Sequence, residues 1–257
     1  MSAPDIRFSV IIPVYNGRNT ICRAIDSVLA QSLPAHEIIV VDDASTDDTV
    51  SLLETTYDDR VRLIHKISNS GSSLSRNMGM DAATGDYFAF LDADDAWHPD
   101  KLSLLSTVFA AHGSITLFYH PFTQEPILNK RLPEDIILYK LPFIKLLPGN
   151  VIATSCMVLK NDPAFRFEPT MRYTEDYDLA LQVGYKHKIY FINIPLTQIY
   201  RGFTTKGGIS ENRWKMRRGE MRAYSRLTKL NPLFVFLLPF LLLTSLGKHV
   251  VKLAVRK

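Results

Sequence analysis

Short apolar runs alternate with amphipathic stretches over roughly the first half of the chain. The runs are typical of strands buried on both faces, and they lie at 8–14, 37–41, 61–64 and 87–91. Between the first two runs, apolar residues recur at helical spacing. The residues of that helical face are Ile21, Ala24, Ile25, Val28 and Leu29. This alternation predicts βαβ units with a parallel sheet.

Helical and strand patterns continue downstream. One helix is predicted through Leu74, Met78 and Ala82, and another from Pro99, a residue favoured in the first turn. The segment 120–148 is rich in proline and bulky apolar residues without a clean period, so we interpret it as irregular. A strand, a helix and a strand are predicted next, at 154–160, 175–185 and 189–194.

These elements predict an α/β fold, a Rossmann-like sandwich with a mostly parallel central sheet. We assign 1–212 to this domain, with a first half at about 1–119 and a second half at about 120–212. The remaining residues, 213–257, are predicted to form a helical appendage that is both apolar and basic.

The appendage has a charge pattern of its own. The net charge of the chain is +4, and its basic excess suggests an acidic partner. The stretch 233–246 is almost wholly apolar but shorter than the ~20 residues of a spanning helix. Three interpretations stay open: a buried C-terminal helix, a segment lying in or dipping into the interface of an anionic membrane, or a true membrane span. The clustered cations are Arg213, Lys215, Arg217, Arg218, Arg222, Arg226, Lys229, Lys248, Lys252, Arg256 and Lys257.

Cysteine usage and the N-terminus bear on the cell compartment. Cys22 and Cys156 are the two cysteines, and their spacing predicts neither a disulfide framework nor a zinc site. The first apolar run lacks the length and cleavage site of a signal peptide. We therefore expect a cytoplasmic protein, peripheral to the inner face of the cell membrane.

Acidic residues follow two predicted strands, where open α/β sheets bind ligands. If the segment after the fourth strand stays extended, Asp92 and Asp94 point the same way and could share a hard divalent cation, or divide between a cation and a ribose. An aspartate-rich turn is the structural alternative. After the second strand, Asp43 is placed to accept a hydrogen bond from a base N–H, although Asp42 and Asp43 could instead cap a helix near Thr46.

Two further groups of residues are candidates. Arg76 lies near a helix start, where the helix dipole favours an acid, so it hints at an anionic or planar ligand; a solvated arginine is the alternative. Thr174 is placed as an N-cap, with Glu175 and Asp176 in the first turn of the next helix. Helix stability alone could explain both acids, and spacing makes neither of them a base.

Four motifs follow one another in fixed order along the chain. They are 9–16 (SVIIPVYN), 37–47 (EIIVVDDASTD), 69–71 with 75–77 (NSG and SRN) and 85–95 (GDYFAFLDADD). Several motifs in order are more specific than any one of them. Together they resemble the family 2 glycosyltransferases of the GT-A fold, closely over about 8–101 and more loosely around Glu175, Asp176 and Tyr200.

The resemblance implies an inverting, metal-dependent sugar transfer of the hexosyltransferase type. It implies that Asp92 faces the ribose, while Asp94, with Asp92, holds Mn²⁺ or Mg²⁺ on the diphosphate. It nominates Asp176 as the general base, which Glu175 supports. The residues it implies for the nucleobase and ribose pocket are Pro13, Tyr15, Asp43 and Arg76.

Two positions depart from the family pattern. Ser75 stands where alanine is usual, and Phe203 stands where histidine is usual in the loop expected to close over the diphosphate. Arg201 and Lys206 could still contact phosphate there, and Arg201 is included among the donor-binding residues.

The expected partners are a nucleotide-sugar donor, a glycan or lipid-linked acceptor of a cell-surface polysaccharide or glycolipid, and a membrane surface. UDP is the first nucleotide to consider, since a carboxylate accepting a base N–H suits uracil, although GDP and dTDP satisfy the same contact. A nucleotidyltransferase is an alternative, but 16–19 holds one glycine and no glycine-rich phosphate loop. A catalytically inactive membrane adaptor is a second alternative. Nucleic acid is not expected, because the cations accompany an apolar segment.

Overall fold

The structure, a computed structural model, describes residues 6–113, 115–133, 135–200 and 212–254, with side chains described through 246. Strands and helices alternate along the chain. The strands are β1 (Phe8–Val14), β2 (Glu37–Asp42), β3 (Arg62–His65), β4 (Tyr87–Phe90), β5 (Asp95–Trp97), β6 (Leu117–Tyr119), β7 (Phe122–Thr123), β8 (Leu138–Leu141), β9 (Met157–Lys160), β10 (Ile189–Ile192) and β11 (Thr197–Ile199). The helices are α1 (Ile21–Leu29), α2 (Thr49–Tyr57), α3 (Ser72–Ala82), α4 (Lys101–His112), α5 (Phe143–Leu146), α6 (Glu175–Lys186), α7 (Arg213–Leu230) and α8 (Leu238–Ala254).

The central sheet has the strand order β3-β2-β1-β4-β9-β6-β10-β8. β1 pairs in parallel with β2 and β4, and β2 pairs in parallel with β3. β9 is antiparallel to both β4 and β6, β10 is parallel to β6, and the edge strand β8 is antiparallel to β10. The predicted α/β sandwich with a mostly parallel sheet is confirmed, and the reversal of β8 and β9 is a feature that the sequence pattern did not indicate.

Two apolar layers cover the sheet, one on each face. Val10 and Ile12 of β1 face the layer that contains α1, whereas Ile11 faces the layer that contains Met80 of α3. These β1 residues are fully buried, as expected for a central strand covered on both sides. Leu29, predicted on the buried face of α1, is 39% exposed because it ends the helix at the edge of that face.

The region 120–148, predicted to be irregular, contains regular elements. β7, β8 and α5 fall within it, so the prediction is wrong in this respect. Each has only two to four residues, too few to show a period in the sequence. Tertiary packing fixes them instead: Tyr139 of β8 stacks on Phe191 of β10 with ring centroids 5.0 Å apart.

Two helices begin later than the sequence predicted. α4 begins after Asp100, which occupies the N-cap position, so Pro99 precedes the helix instead of lying in its first turn. α2 begins after Asp48, so neither Asp42 nor Asp43 caps it. Both aspartates are thereby left at the end of β2, among the loops that follow the parallel strands.

α7 packs on α6 as part of the folded body. The Tyr224 hydroxyl is buried and donates to the Leu147 carbonyl oxygen at 3.1 Å. Arg226 donates through Nε to Asp178 of α6 at 2.9 Å and also pairs with Glu168. Because its charge is balanced inside the protein, Arg226 does not contribute to the predicted basic surface.

The C-terminal apolar stretch has an inner and an outer face. Phe234 and Leu241 are buried, and Ser245 Oγ donates to Glu220 of α7 at 2.7 Å. The interpretation of this stretch as a buried helix holds for this inner face only, because large apolar side chains point outward on the other. Within the described part of the chain, no helix is long and apolar enough to cross a membrane. The most exposed side chains are Leu233 (67%), Phe236 (77%), Phe240 (65%) and Leu243 (66%).

Candidate active site

The loops after β2, β1 and β4 meet at one edge of the sheet because these strands are parallel neighbours. The Asn16 backbone N–H donates to Ser45 Oγ at 2.8 Å, and the Asn16 side-chain oxygen accepts the Thr46 N–H at 2.8 Å. Pro13 is half-buried beside this contact, and Tyr15 is 50% exposed. The Tyr15 ring is therefore accessible to a ligand at this edge.

Asp43 is buried, and its carboxylate holds the loop that precedes α3. Oδ1 accepts the Ser70 N–H at 2.9 Å and pairs with Lys66, while Oδ2 accepts the Gly71 N–H at 2.8 Å. Gly71 has φ of +92°, a conformation that favours glycine. Among the residues that the structure describes, these three donors leave one acceptor position, on Oδ2, for the predicted bond from a base N–H.

Lys66 is a site residue that the sequence reasoning missed. Its side chain is 7% exposed, and its Nζ donates to Ser75 Oγ at 3.1 Å. Ser75 in turn donates to the Gly71 carbonyl oxygen at 3.1 Å. The serine that replaces the usual alanine thus completes a set of oxygen acceptors around a buried ammonium group. No local pattern marked a lysine at the end of a strand.

Arg76 joins acids from two distant parts of the chain. It is 4% exposed; Nη2 donates to Asp92 Oδ1 at 2.7 Å, and Nη1 donates to Glu175 Oε1 at 2.9 Å. The interpretation of a solvated arginine is therefore wrong. Two carboxylates, not an anionic ligand, balance its charge, and a contact between Arg76 and the nucleotide stays a prediction.

The segment from Asp92 to Asp95 forms a turn. The Asp95 N–H donates to the Asp92 carbonyl oxygen at 3.1 Å, so the segment does not stay extended, and the structural alternative of a turn is the one observed. The Asp92 side chain is 38% exposed, and Asp94 is half-buried. Arg23 of α1 donates to the Asp94 carbonyl oxygen at 2.7 Å, which ties the turn to the first helix.

The oxygens of Asp92 and Asp94 are the ligand type that Mg²⁺ and Mn²⁺ prefer. Arg76 occupies only Oδ1 of Asp92. Among the residues that the structure describes, no cluster of three or more His, Cys, Asp or Glu side chains could hold a metal ion. This donor set fits a cation that takes its other ligands from a diphosphate and water, as Mg²⁺ does beside one or two carboxylates.

Ser155 lies under the turn and was not singled out from the sequence. Its Oγ accepts the Asp92 N–H at 3.0 Å and donates to Asp95 Oδ2 at 2.6 Å. The predicted strand at 154–160 begins here as a short 3₁₀ turn. A polar pair inside an apolar run was the available signal. The Ser155 carbonyl oxygen also accepts side-chain bonds from Trp97, Lys101 and Thr197.

Burial shifts the pKa values of two ionisable groups beneath the turn, Asp95 and Lys101. It raises the pKa of Asp95 to about 8, and the charge of Asp92 adds to the shift. It lowers the pKa of Lys101, whose Nζ lies 3.7 Å from the centre of the Trp97 ring, to about 7. Both groups therefore tend toward their uncharged forms near neutral pH.

Glu175 is the first residue of α6, and its carboxylate accepts hydrogen bonds from other side chains of the protein. It is buried and accepts from Arg76 and, at 3.1 Å, from Ser72 Oγ. Thr174 occupies the N-cap position at φ of +58°, but its hydroxyl donates to the Tyr173 carbonyl oxygen at 2.6 Å. The predicted capping bond from Thr174 is therefore wrong, and Glu175 supports the arginine instead of merely stabilising the helix.

Asp176 is half-buried one residue further along α6. Its Oδ1 accepts from Asn150 Nδ2 at 3.0 Å and from the Tyr177 N–H at 2.7 Å. Burial raises the pKa of Asp176 to about 7, the charge of Glu175 adds to the shift, and the bond from Asn150 opposes it. A carboxylate with a pKa near neutral is suited to general base catalysis.

The loop predicted to close over the diphosphate lies largely outside the described residues. Arg201, Phe203 and Lys206 are among those positions, so their roles stay predictions. Tyr200, which precedes them, is 41% exposed, and the Arg23 guanidinium lies 3.6 Å from the centre of its ring.

The mixed α/β sheet, with its acids at the ends of parallel strands, defines a protein of the GT-A class. The chain belongs to glycosyl transferase family 2, whose family model matches residues 9–166. The resemblance drawn from the motifs is confirmed. The motifs of the first half, which hold Asp43, Arg76, Asp92 and Asp94, lie inside the matched range.

Curated relatives are named for the biosynthesis of amylovoran, teichuronic acid and succinoglycan. The amylovoran biosynthesis glycosyltransferase AmsB of Erwinia amylovora is 34% identical over 71% of this chain and 66% of its own length. The putative teichuronic acid biosynthesis glycosyltransferase TuaG of Bacillus subtilis is 30% identical over 87% of this chain and 89% of its own. The succinoglycan biosynthesis protein ExoO of Rhizobium meliloti is 46% identical over 68% of this chain, which spans 54% of that protein.

Solved structures share the fold. TarS residues 1–349 of S. aureus, in complex with UDP-GlcNAc, superpose with a TM-score of 0.69 at 18% identity, covering 87% of this chain and 67% of the other. The mannosyltransferase PcManGT of Pyrobaculum calidifontis, in complex with GDP-Man and Mn²⁺, superposes with a TM-score of 0.65 at 19% identity, covering 97% of this chain and 75% of the other. At these identities the likeness establishes the architecture.

Proposed function

We propose that this protein is an inverting glycosyltransferase that moves a sugar from a nucleotide-sugar, a UDP-sugar first, to an acceptor hydroxyl of a cell-surface polysaccharide or glycolipid. The observation that carries the proposal is the Arg76 bridge. One guanidinium joins Asp92, at the end of β4, to Glu175, the neighbour of Asp176. The bridge connects an acid of the first half, where the donor would bind, to the acid pair of the second half.

In this proposal Asp176 is the general base. Its carboxylate takes the proton from the acceptor hydroxyl while the hydroxyl oxygen bonds to the anomeric carbon. The bond from that carbon to the nucleotide diphosphate breaks on the opposite face, so the configuration inverts. Glu175 and Arg76 hold the base and the donor-side turn in a fixed relation, which favours reaction by orientation.

The donor is bound by groups at the edge of the sheet. Tyr15 and Pro13 would contact the nucleobase, and the remaining acceptor position of Asp43 would take its N–H. Asp94, with Asp92, would hold Mn²⁺ or Mg²⁺, which when bound stabilises negative charge on the leaving diphosphate. The neighbours in complex with UDP-GlcNAc and with GDP-Man and Mn²⁺ support a donor and a cation of these kinds.

Calorimetry of nucleotide binding tests the donor site. UDP, GDP and dTDP are titrated into the wild type, Asp94→Ala and the exposed control Asp59→Ala, with and without Mn²⁺. We expect one nucleotide to bind in a metal-dependent way, and Asp94→Ala to weaken that binding by roughly tenfold or more. If no nucleotide bound under any condition, the proposal would fail and the inactive adaptor would replace it.

The base is tested by Asp176→Asn. This variant should bind the nucleotide like the wild type, while UDP release from a panel of UDP-hexoses falls by about 10²–10⁴-fold. An equal rate in the two proteins would remove Asp176 from the mechanism and leave the donor site untouched.

We also propose that the outer face of 232–246 lies on an anionic membrane leaflet on the cytoplasmic side. Leu233, Phe236, Phe240 and Leu243 are spaced three or four residues apart, so they share one face. Lys215, Arg218 and Lys229 are exposed on α7, the helix that packs against this segment, and they supply positive charge. An apolar helical face with cations nearby is the pattern of an interfacial segment.

Vesicle sedimentation tests this surface. The wild type should sediment with vesicles containing phosphatidylglycerol more than with pure phosphatidylcholine. A fourfold variant should abolish that difference in sedimentation. Its substitutions are Leu233→Ser, Phe236→Ser, Phe240→Ser and Leu243→Ser. Leu128→Ser with Ile137→Ser is the control, since these side chains are 50% and 60% exposed elsewhere. Equal sedimentation of the fourfold variant and the control would contradict a membrane role for this face.

A further inference from the structure

Asn150 lies in the loop after α5, a segment whose sequence showed no function. Its side-chain oxygen accepts the Ile152 N–H at 2.9 Å. This bond fixes which way the amide points, so the Nδ2 group is the one that faces Asp176, 3.0 Å from Oδ1. The contact is therefore directional: the asparagine can only donate to the acid.

The loop that carries Asn150 is anchored to the protein core both before and after this residue. The Leu147 carbonyl oxygen accepts from the Tyr177 hydroxyl at 2.9 Å and from the Tyr224 hydroxyl at 3.1 Å. On the other side, Ile152 is 2% exposed in the apolar core. Because Tyr177 adjoins Asp176 on α6, the same helix anchors the loop and receives the amide.

The two oxygens of Asp176 are unequal. Oδ1 accepts from Asn150 and from the Tyr177 N–H. Within the described residues, Oδ2 accepts no hydrogen bond. In the described part of the chain, the charged groups that act on this carboxylate are Glu175 of the same helix and Arg76 of α3, and the Asn150 amide faces it from the loop.

We propose that Asn150 is a positioning residue for the base: it holds Oδ1 of Asp176 and so presents Oδ2 to the acceptor hydroxyl. This inference rests on the proposed function, in which Asp176 takes the acceptor proton. A donated hydrogen bond also favours the ionised carboxylate, the form a base needs. Asn150 thereby opposes the effect of burial and of Glu175, which both raise the pKa of Asp176.

The decisive variant is Asn150→Asp. A carboxylate at this position keeps an oxygen for the Ile152 N–H, so the loop is retained, but it replaces the donor with a like charge. The midpoint of the Asp176 titration, followed by ¹³C NMR of its carboxyl carbon and assigned with Asp176→Asn, should rise by about one pH unit or more. Asn129→Asp, at an exposed position of the same half, is the control and should leave the midpoint unchanged.

The pH profile of UDP release gives the functional readout. The base must be ionised, so activity falls as pH drops through the pKa of Asp176, about 7. In Asn150→Asp and Asn150→Ala this acid limb should lie at higher pH, with the rate at pH 6.5 reduced more than the rate at pH 8.5. Coincident midpoints and limbs for wild type and Asn150→Asp would overturn the role of Asn150. Full activity of Asp176→Asn would instead remove Asp176 as the base of the proposed function, and with it the premise of this inference.

Discussion

At the scale of single residues, Arg76 is the group on which the two halves of the site depend. Its guanidinium is buried, and its two terminal nitrogens each serve one carboxylate. A lysine has a single point of charge and could not reach both in the same geometry. The cost of removing this residue should therefore exceed that of a surface arginine.

Arg76→Met tests this dependence. We expect the free energy of unfolding to fall by about 3 kcal/mol, because Glu175, 11% exposed, is left without its cation. Arg166→Met is the matched control, since Arg166 pairs with an Asp81 side chain that is 65% exposed, and a loss below about 1 kcal/mol is expected there. Urea denaturation followed by circular dichroism measures both. Similar losses of unfolding free energy in the two variants would show that the Arg76 bridge contributes no more to stability than a surface ion pair.

At the scale of elements, the close approach of α7 fixes the start of α6. A β-carbon added at Gly219 would lie 2.5 Å from the Tyr173 carbonyl oxygen and would also meet Thr174 Oγ1. The backbone next to Glu175 is thus held by a helix from the C-terminal part of the chain. Any substitution that moves α7 away from the start of α6 should therefore displace Glu175 and Asp176.

Gly219→Ala should lower stability by about 1–3 kcal/mol through overpacking, although alanine favours a helix more than glycine does. Ser225→Ala, at an exposed position of α7, is the control and should be neutral within about half a kcal/mol. Thermal unfolding and the rate of UDP release report on both. If the Gly219→Ala protein were as stable and as active as the control, α7 could move away from the Tyr173 carbonyl oxygen without loss of stability or activity.

The sequence was informative where structure is encoded locally. β1 and β2 are long, mostly apolar strands, and the acids that follow β2 and β4 could be assigned to the sheet edge from the alternation alone. The partners of those acids could not. Ser155 reaches Asp92 across 63 positions, and Asn150 reaches Asp176 across 26. No spacing rule connects such residues, because the fold brings them together.

At the scale of the whole molecule, donor binding should stabilise the fold by mass action. At a concentration of 100 Kd, a nucleotide adds about 2.7 kcal/mol. For a domain of this size that raises the Tm by roughly 5–10 °C. We expect UDP with Mn²⁺ to do so in the wild type and Asp94→Ala to lose the metal-dependent part, as measured by scanning fluorimetry. A Tm that rises equally in both proteins would place the cation elsewhere.

The reversed strand β9 has a consequence for how the chain folds. It lies between β4 and β6, so a strand from late in the chain closes the edge of the sheet built by the first residues. A fragment ending near Tyr119 would leave the β4 edge open, with unpaired amide and carbonyl groups available to another chain. A nascent chain therefore needs residues through Lys160 before that edge is covered.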